Sequence, residues 1–164
     1  MSTGKTRVKQ QAPKSLEKFL SYRLHLINKI TDRRSSNDYM ERFGLPVGEA
    51  RCLAAIGNFE PLSINDLAGK ANLDKGQASR AAQALVTRGF VSKESSTSDG
   101  RGVVITLTKV GRPVWTSVMQ LIEERNRDIF GCLTASERAA LGNMLDRLAV
   151  HARGSLSHPD LSQD

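Results

Sequence analysis

Residues 61–107 read PLSINDLAGKANLDKGQASRAAQALVTRGFVSKESSTSDGRGVVITL, and two helix starts can be recognised within them. Ser63 is a typical N-cap residue, and Asp74 is followed three residues later by Gln77, which is the spacing of a capping box. The second helix runs to Gly89, a residue typical of the position after a helix end. Beyond Gly89 the hydrophobic period changes from about 3.6 residues to two, which indicates strands. This order predicts a helix-turn-helix followed by a β-hairpin.

The hairpin and the turn have clear boundaries in the sequence. We predict strands over residues 90–94, directly after Gly89, and over residues 103–107, which are rich in β-branched side chains. The connecting loop, residues 95–102, consists of Ser, Thr, Asp, Gly and one Arg. Only residues 71–74 separate the two short helices, as a helix-turn-helix requires. The polar loop is therefore the expected tip of a wing.

Helical periodicity also surrounds this lobe. Apolar residues recur at helical spacing over residues 15–34, 47–57, 112–131 and 135–152. Thr108 is the expected cap of the third of these helices, and Thr134 with Glu137 forms a capping box before the fourth. Pro113 lies near the start of the third helix, where it either kinks the first turn or moves the true start later. The resulting fold class is mainly α with a small β-hairpin, a winged helix-turn-helix lobe joined to a helical region.

We expect a single domain over residues 15–152. Within it, residues 61–107 form the DNA-binding lobe, and the helices at 15–34 and 112–152 form a dimerisation region. These helices carry apolar faces that the winged lobe alone cannot cover, so a second copy of the chain is the expected partner. An intramolecular helix bundle is the alternative.

The net charge of the 164-residue chain is +7, and it is unevenly distributed. Residues 1–14 carry four basic and no acidic side chains, and we expect them to be a disordered basic arm. Residues 70–112 carry eight basic against three acidic side chains, a net +5. Residues 153–164 are expected to be a loose C-terminal tail. The internal basic block coincides with the predicted lobe and indicates a polyanionic partner, although a basic protein without such a partner is the alternative.

Several classes of protein are excluded by what the sequence lacks. No run approaches the roughly 18 apolar residues of a membrane span, and the polar start is not a secretory signal, so a cytoplasmic, reducing location is expected. Cys52 and Cys132 are too far apart to make a disulfide framework. The three histidines have no metal-ligand spacing, and no catalytic or phosphate-binding motif is present, so we expect neither an enzyme, nor a metal, nor a cofactor.

The second helix of the motif is expected to lie in the DNA major groove with its first turns nearest the bases. Gln77 has the amide that pairs with adenine, and Arg80 either reads guanine or grips phosphate. Gly76 and Ala78 would allow close approach. On the wing, Arg101 is placed to enter the minor groove, with Asp99 holding its guanidinium. The predicted DNA contacts are Ser63, Lys75, Gln77, Ser79, Arg80, Arg88, Lys93, Asp99 and Arg101.

Taken together, these motifs resemble the MarR family of winged-helix transcription regulators over about residues 15–152. The resemblance rests on Leu67-Ala68, Gln77-Ala78-Ser79-Arg80, Leu85 with Arg88-Gly89-Phe90-Val91, Asp99-Gly100-Arg101, and Leu107-Thr108 with Gly111. The wing pattern is fairly specific, whereas the helix-turn-helix alone is weak. Gly100 departs from the family, because many members have a second arginine there, and so does Pro113.

The resemblance implies an obligate homodimer in which the first helix and the last two helices of each subunit intertwine. Such a dimer binds a pseudo-palindromic operator with half-sites about one helical turn apart. The family usually represses transcription and is released by a small effector, often an aromatic carboxylate. An aromatic or heterocyclic acid is therefore the expected effector.

The family geometry suggests Tyr22, His25 and Arg51 as ligand-binding residues, with Arg51 forking onto a carboxylate. Each has a plainer alternative. Arg51 pairs with Glu17, Glu49 or another acid; His25 is an exposed or hydrogen-bonded helix residue; and Tyr22 packs at the dimer seam.

The sequence leaves two alternative functions. A redox-responsive regulator would act through Cys132, since Cys52 lies in an apolar run and is expected to be an inert buried thiol. A winged helix can also be a protein-interaction module without DNA binding, but such modules typically lack the basic face and wing arginine present here. The basic arm at residues 1–14 either contacts the DNA minor groove or has no role in binding.

Overall fold

A computed structural model of the chain describes residues 15–95 and 103–156. It confirms a mainly helical fold with one two-stranded antiparallel hairpin. A short 3₁₀ turn precedes six helices and two strands: α1 Leu20–Phe43, α2 Val47–Phe59, α3 Ile64–Ala71, α4 Lys75–Thr87, β1 Val91–Ser95, β2 Val103–Leu107, α5 Gly111–Phe130 and α6 Ala135–Leu156. No helix in this part of the chain has the length and hydropathy of a membrane span.

The core of the lobe is built around α2, which packs against α1, α3, α4, α5 and β2. Its buried face alternates Ala with large residues, so neighbouring helices can approach closely on all sides. Leu62 extends the sheet, because its backbone exchanges two hydrogen bonds with Ile105, at 3.2 and 2.8 Å. The fully buried large side chains of the lobe include Leu53, Ile56, Leu67, Leu85 and Ile105.

The hairpin pairs Val91 with Leu107 and Ser95 with Val103. The first strand therefore begins one residue later than the predicted 90–94. Phe90 is excluded from the ladder because its N–H donates to the carbonyl of Leu85 at 3.0 Å and so completes the C-terminal cap of α4. The second strand, 103–107, matches its prediction.

The first helix departs from its predicted bounds of 15–34. Residues 16–18 form the 3₁₀ turn, and α1 starts after it and continues through the polar stretch that was expected to end it. Two polar residues of that segment face inward: Ser35 is 2 % and Tyr39 is 4 % exposed. Packing against the core therefore overrides the weak local helix preference. The helix ends at Gly44, in the left-handed conformation.

The other helix ends are close to expectation, with two extensions. α2 continues two residues past the predicted Gly57, and α6 continues through residues 153–156, which the sequence analysis places in the C-terminal tail. A glycine such as Gly154 costs a helix only about 1 kcal/mol, so without a competing cap it does not stop one. The predicted capping box before α6 is present: Thr134 N–H donates to Glu137 at 2.8 Å, and these hydrogen bonds lower the pKa of that carboxyl.

The start of α5 is locked to the end of α4. The hydroxyl of Thr108 accepts the N–H of Gly111 at 2.9 Å, as expected for a cap, and donates to the carbonyl of Gly89 at 2.6 Å. Gly111 lies so close to the residue before β1 that an added Cβ would sit 1.8 Å from the carbonyl oxygen of Phe90. Pro113 falls in the first turn, where its missing N–H costs no helical bond, so the start is not moved later.

The close approach at Gly111 gives a direct test of this junction. Gly111→Ala is expected to lower the free energy of unfolding by roughly 1–3 kcal/mol, because the methyl group must displace backbone rather than a flexible side chain. Thermal unfolding would measure the loss. Gly69→Ala is the matched control: nothing lies within 4 Å of its added Cβ, and stability should be kept or slightly raised. Equal melting temperatures for both variants would contradict the close packing.

Candidate nucleic-acid interface

The first turn of α4 is fixed by a reciprocal capping box. The Asp74 carboxylate accepts the backbone N–H of Gln77 at 2.7 Å, and the Gln77 side-chain oxygen accepts the N–H of Asp74 at 3.2 Å. The Gln77 amide nitrogen is not used in this box and keeps its donors. Before the turn, Asn72 ends α3 in the left-handed conformation. The helix-turn-helix geometry is thus set by local hydrogen bonds.

Four of the predicted DNA contacts form an exposed, donor-rich surface around the first two turns of α4. They are Lys75, Gln77, Ser79 and Arg80. Each carries hydrogen-bond donors, and no acidic residue follows Asp74 on this helix. Ala78, which with Gly76 is expected to allow close approach, is fully buried, because α4 packs its small residues against α2 and α3. Gly76 is exposed as expected.

Ser63 and Lys93 flank this surface and are tied to neighbouring groups. Ser63 is the N-cap of α3, where its hydroxyl accepts the N–H of Asp66 at 3.1 Å. Lys93, on β1, donates to the side-chain oxygen of Gln83 on α4 at 2.7 Å. This contact holds a positive charge beside the exposed face of the helix. Asp99 and Arg101, the predicted wing-tip pair, lie outside the described residues.

Arg88 is placed differently from the other predicted contacts. It caps the C-terminal end of α4, a full helix length from the exposed donors. Its Nε lies 3.0 Å from a carboxylate oxygen of Glu49 on α2, and its Nη2 donates to the carbonyl of Gly44 at 3.1 Å. The structure therefore connects Arg88 to α1 and α2, and not to the basic surface at the start of the helix.

A cavity of about 570 Å³ lies between α1, α2, α3 and α5, and Arg51 is one of its lining residues. A second cavity of about 280 Å³ shares Arg51, Asp32, Tyr39 and Ile122 with it. Arg51 pairs with Asp32 at 2.9 Å, which confirms the alternative that this arginine has an acidic partner. Both side chains remain about two-fifths exposed, so the pair is open to solvent.

Tyr22 and His25 are not brought to this cavity by the described part of the chain. Tyr22 is half-buried and His25 is exposed, and both lie on the N-terminal half of α1. The lining contains residues that the sequence analysis missed, among them Lys70 and Phe59, whose ammonium and ring centre are 4.5 Å apart. Asn72 also lines it and belongs to the turn of the helix-turn-helix. No sequence signal linked these residues, because they come from separate helices.

Tyr39 forms the polar wall between the two cavities. Burial raises the pKa of its phenol, and the nearby guanidinium of Arg125 opposes that shift. Arg125 donates to the phenol oxygen at 3.3 Å and lies 5.5 Å from the ring centre. The phenol is therefore neutral at physiological pH and is an available donor toward the cavities.

The cysteines match their expected environments. Cys52 is fully buried, and burial, with a smaller contribution from Glu49, raises the pKa of its thiol to about 11. Cys132 is exposed just after α5. Within residues 15–95 and 103–156 no group of histidine, cysteine and carboxylate side chains is arranged to hold a metal ion.

Comparison with known proteins gives consistent matches. Residues 43–102 match the model of the MarR family. The chain is 25 % identical over 126 residues to the multiple antibiotic resistance protein MarR of Escherichia coli K12, covering 76 % of this chain and 87 % of that one. A MarR-family regulator from Silicibacter pomeroyi is 25 % identical, with a TM-score of 0.74 over 84 % of this chain and 92 % of its own.

A further solved structure has the same fold at lower identity. It is BpsR of Bordetella bronchiseptica, described in terms of the regulation of its DNA binding by 6-hydroxynicotinic acid. It is 19 % identical and has a TM-score of 0.75, over 84 % of this chain and 98 % of its own. The helical arrangement around the wing is thus common to these proteins.

The two contacts of Gln77 can be separated by substitution. Gln77→Ala is expected to lose roughly 1–3 kcal/mol of binding to the cognate DNA site and little on random DNA, because an adenine-reading amide is removed. Competition binding with both DNAs would measure this. Gln77→Glu is the control, because glutamate preserves the capping box and the melting temperature but cannot donate to adenine. Equal losses on cognate and random DNA would show that Gln77 only positions the helix.

Proposed function

We propose that the chain is a member of the MarR family of transcription regulators and acts as a homodimeric, sequence-specific DNA-binding repressor released by a small aromatic or heterocyclic acid. The observation that carries this proposal is the capped start of α4, which presents Lys75, Gln77, Ser79 and Arg80 to solvent around its first two turns. Its donors match the acceptor-rich edges of bases and the phosphates beside them. The proposed location is the cytoplasm, where such a regulator meets its operator.

The proposed DNA contact follows from shape and charge. α4 enters the major groove with its N-terminal turns facing the bases, and the hairpin lies beside it as a wing. Arg80 and Lys75 supply the positive charge at the helix, and Lys93 supplies it at the base of the wing. Asp99 and Arg101 complete the proposed contact in the minor groove.

The proposed dimer follows from apolar surface that the protomer leaves open. Between Ala135 and Gly154, every side chain of α6 except Leu141 is exposed. A monomer rarely leaves such faces in water, and a second copy of the same helices would cover them. Large apolar side chains exposed on α6 and near the start of the chain are Leu16, Phe19, Leu20, Leu24, Ile27, Ile30, Met144, Leu145 and Leu148.

The proposed effector site is the cavity that contains Arg51. Asp32 occupies the guanidinium with a carboxylate, so the carboxylate of a small acid has a matching partner once Asp32 moves aside. Lys70 provides a second cation among the lining residues, and Phe59, Met119 and Ile122 provide apolar surface for a ring. The cavity also reaches Asn72 in the turn before α4, so a ligand there touches the helix-turn-helix itself.

The whole proposal can be tested in one binding experiment. Fluorescence anisotropy would use DNA from directly upstream of the chain's own coding sequence at two salt concentrations, with benzoate, salicylate, nicotinate and 6-hydroxynicotinate added to the complex. Nanomolar, salt-sensitive binding released by one of these acids is the expected result. Binding no tighter than that to random DNA would contradict the proposal and favour a protein-interaction module. Tight binding that none of the acids releases would overturn the effector class and turn attention to Cys132.

The effector site has its own prediction. Arg51→Ala is expected to weaken acid binding by at least about tenfold, because a charge-assisted, bidentate contact is worth roughly 1.5–3 kcal/mol. DNA affinity without the acid should stay close to that of the unsubstituted protein. Isothermal titration with the active acid would measure the change, and Arg33→Ala, an exposed arginine outside the two cavities, is the control. Unchanged acid affinity in Arg51→Ala would remove this residue from the site.

The proposed dimer interface is tested on α6. Leu145→Asp is expected to give monomers and abolish operator binding, because it places a charge in an interface where the apolar residue is 39 % exposed in the protomer. Asn143→Asp adds the same charge to an exposed polar position of the same helix and should remain dimeric. Analytical ultracentrifugation would compare the two variants. A stable Leu145→Asp dimer would show that α6 does not form the seam through this face.

A further inference from the structure

Glu49 is the most buried carboxylate among the ion pairs of the described chain, with its side chain only 14 % exposed. It lies near the start of α2, and the group beside its carboxylate is the guanidinium of Arg88 at 3.0 Å. An ionised carboxylate in such a place requires a cation, and removing that cation costs more than the pair contributes. The nearly buried carboxylate of Glu49 therefore fixes the position of Arg88.

Arg88 has a second partner on a third helix. Its Nη2 donates to the carbonyl of Gly44, the residue that ends α1. Carbonyls at a helix C-terminus carry partial negative charge and favour a cation. One guanidinium thus joins the C-terminal end of α4 to the end of α1 and the beginning of α2.

This arrangement separates Arg88 from the arginine that faces solvent at the other end of α4. Arg80 lies on the exposed surface next to the capping box. Arg88, although its side chain is 39 % exposed, pairs with protein groups: its Nε forms an ion pair with Glu49, and its Nη2 donates to the carbonyl of Gly44. Arg80 and Arg88 carry the same charge, but only Arg88 contacts the ends of α1 and α2.

We propose that Arg88 is a positioning residue, which sets the direction of α4 relative to α1 and α2 through Glu49 and Gly44 and makes no DNA contact of its own. The inference rests on the DNA-binding part of the proposed function. It replaces the sequence-based expectation that Arg88 grips DNA. If Arg88 acts through Glu49, then a neutral residue at either position has the same consequence for DNA binding.

The test compares Arg88→Met, Glu49→Gln and the double variant with Arg80→Ala. Affinity for the cognate site is measured at several salt concentrations and well below each melting temperature, so that only folded protein is compared. We expect Arg88→Met and Glu49→Gln each to weaken DNA binding by roughly 2- to 30-fold. The double variant should lose no more affinity than the single variant that binds DNA less tightly. The salt slope should be unchanged in all three, whereas Arg80→Ala should lower it by about one.

Three results would overturn the inference. A lower salt slope in Arg88→Met with normal binding by Glu49→Gln would show a direct phosphate contact. Normal DNA affinity in Glu49→Gln and in the double variant would show that the ion pair contributes to stability alone. These two variants leave no unpaired buried carboxylate, so their DNA affinities can be compared even if Arg88→Met folds poorly. Absence of specific binding by the unsubstituted protein would overturn the proposed function as well, and it is seen before any variant is compared.

Discussion

The close contact between Gly111 and the carbonyl of Phe90 fixes the start of α5 against the end of the helix-turn-helix. Only a residue without a side chain can bring the start of α5 this close to the backbone that connects α4 to β1. Thr108 strengthens the same contact by accepting a hydrogen bond from Gly111 and donating one to Gly89. Because α5 leads into the helices proposed to dimerise, the orientation of α4 depends on this junction. The pattern of Leu107-Thr108 followed by Gly111 therefore has a physical reason: Thr108 supplies the hydrogen bonds, and Gly111 allows the close approach.

The ion pairs give the arginines of this chain separate roles. Arg51 and Arg88 both lie against carboxylates of the same region, but Asp32 is well exposed whereas Glu49 is nearly buried. An exposed pair is worth little and exchanges partners easily, while a buried one is costly to break. The two arginines are equally exposed, so the difference lies in the carboxylate: the proposed effector site uses the exposed Asp32, and the proposed positioning site uses the nearly buried Glu49. Each pair has one member on α2, Arg51 in the first and Glu49 in the second, and these two residues are two positions apart.

Local signals predicted more of the fold than of the site. The capping box of Asp74 and Gln77, the glycine after α4 and the strand 103–107 depend on neighbours within a few residues, and the sequence was sufficient for them. The end of α1 was missed because Tyr39 is held by Arg125, 86 residues away. The partners of Arg51 and Arg88 were missed for the same reason, since any of several acids satisfied the sequence. The donors at the start of α4 are exposed, as a DNA contact requires, and the contact itself stays a prediction. The burial of Ala78 depends on packing against α2 and α3, which come from other parts of the chain.

The unequal burial of the two thiols has a practical consequence for watching this protein at work. With a pKa of about 11, only roughly one Cys52 side chain in ten thousand is a thiolate at neutral pH, and the surrounding core excludes reagents from it. Cys132 is open to solvent at the corner between α5 and α6. A maleimide dye would therefore attach at a single defined place in each native chain without any engineered cysteine. That place is next to the helix proposed to pair with a second copy, so the dye would report subunit exchange directly.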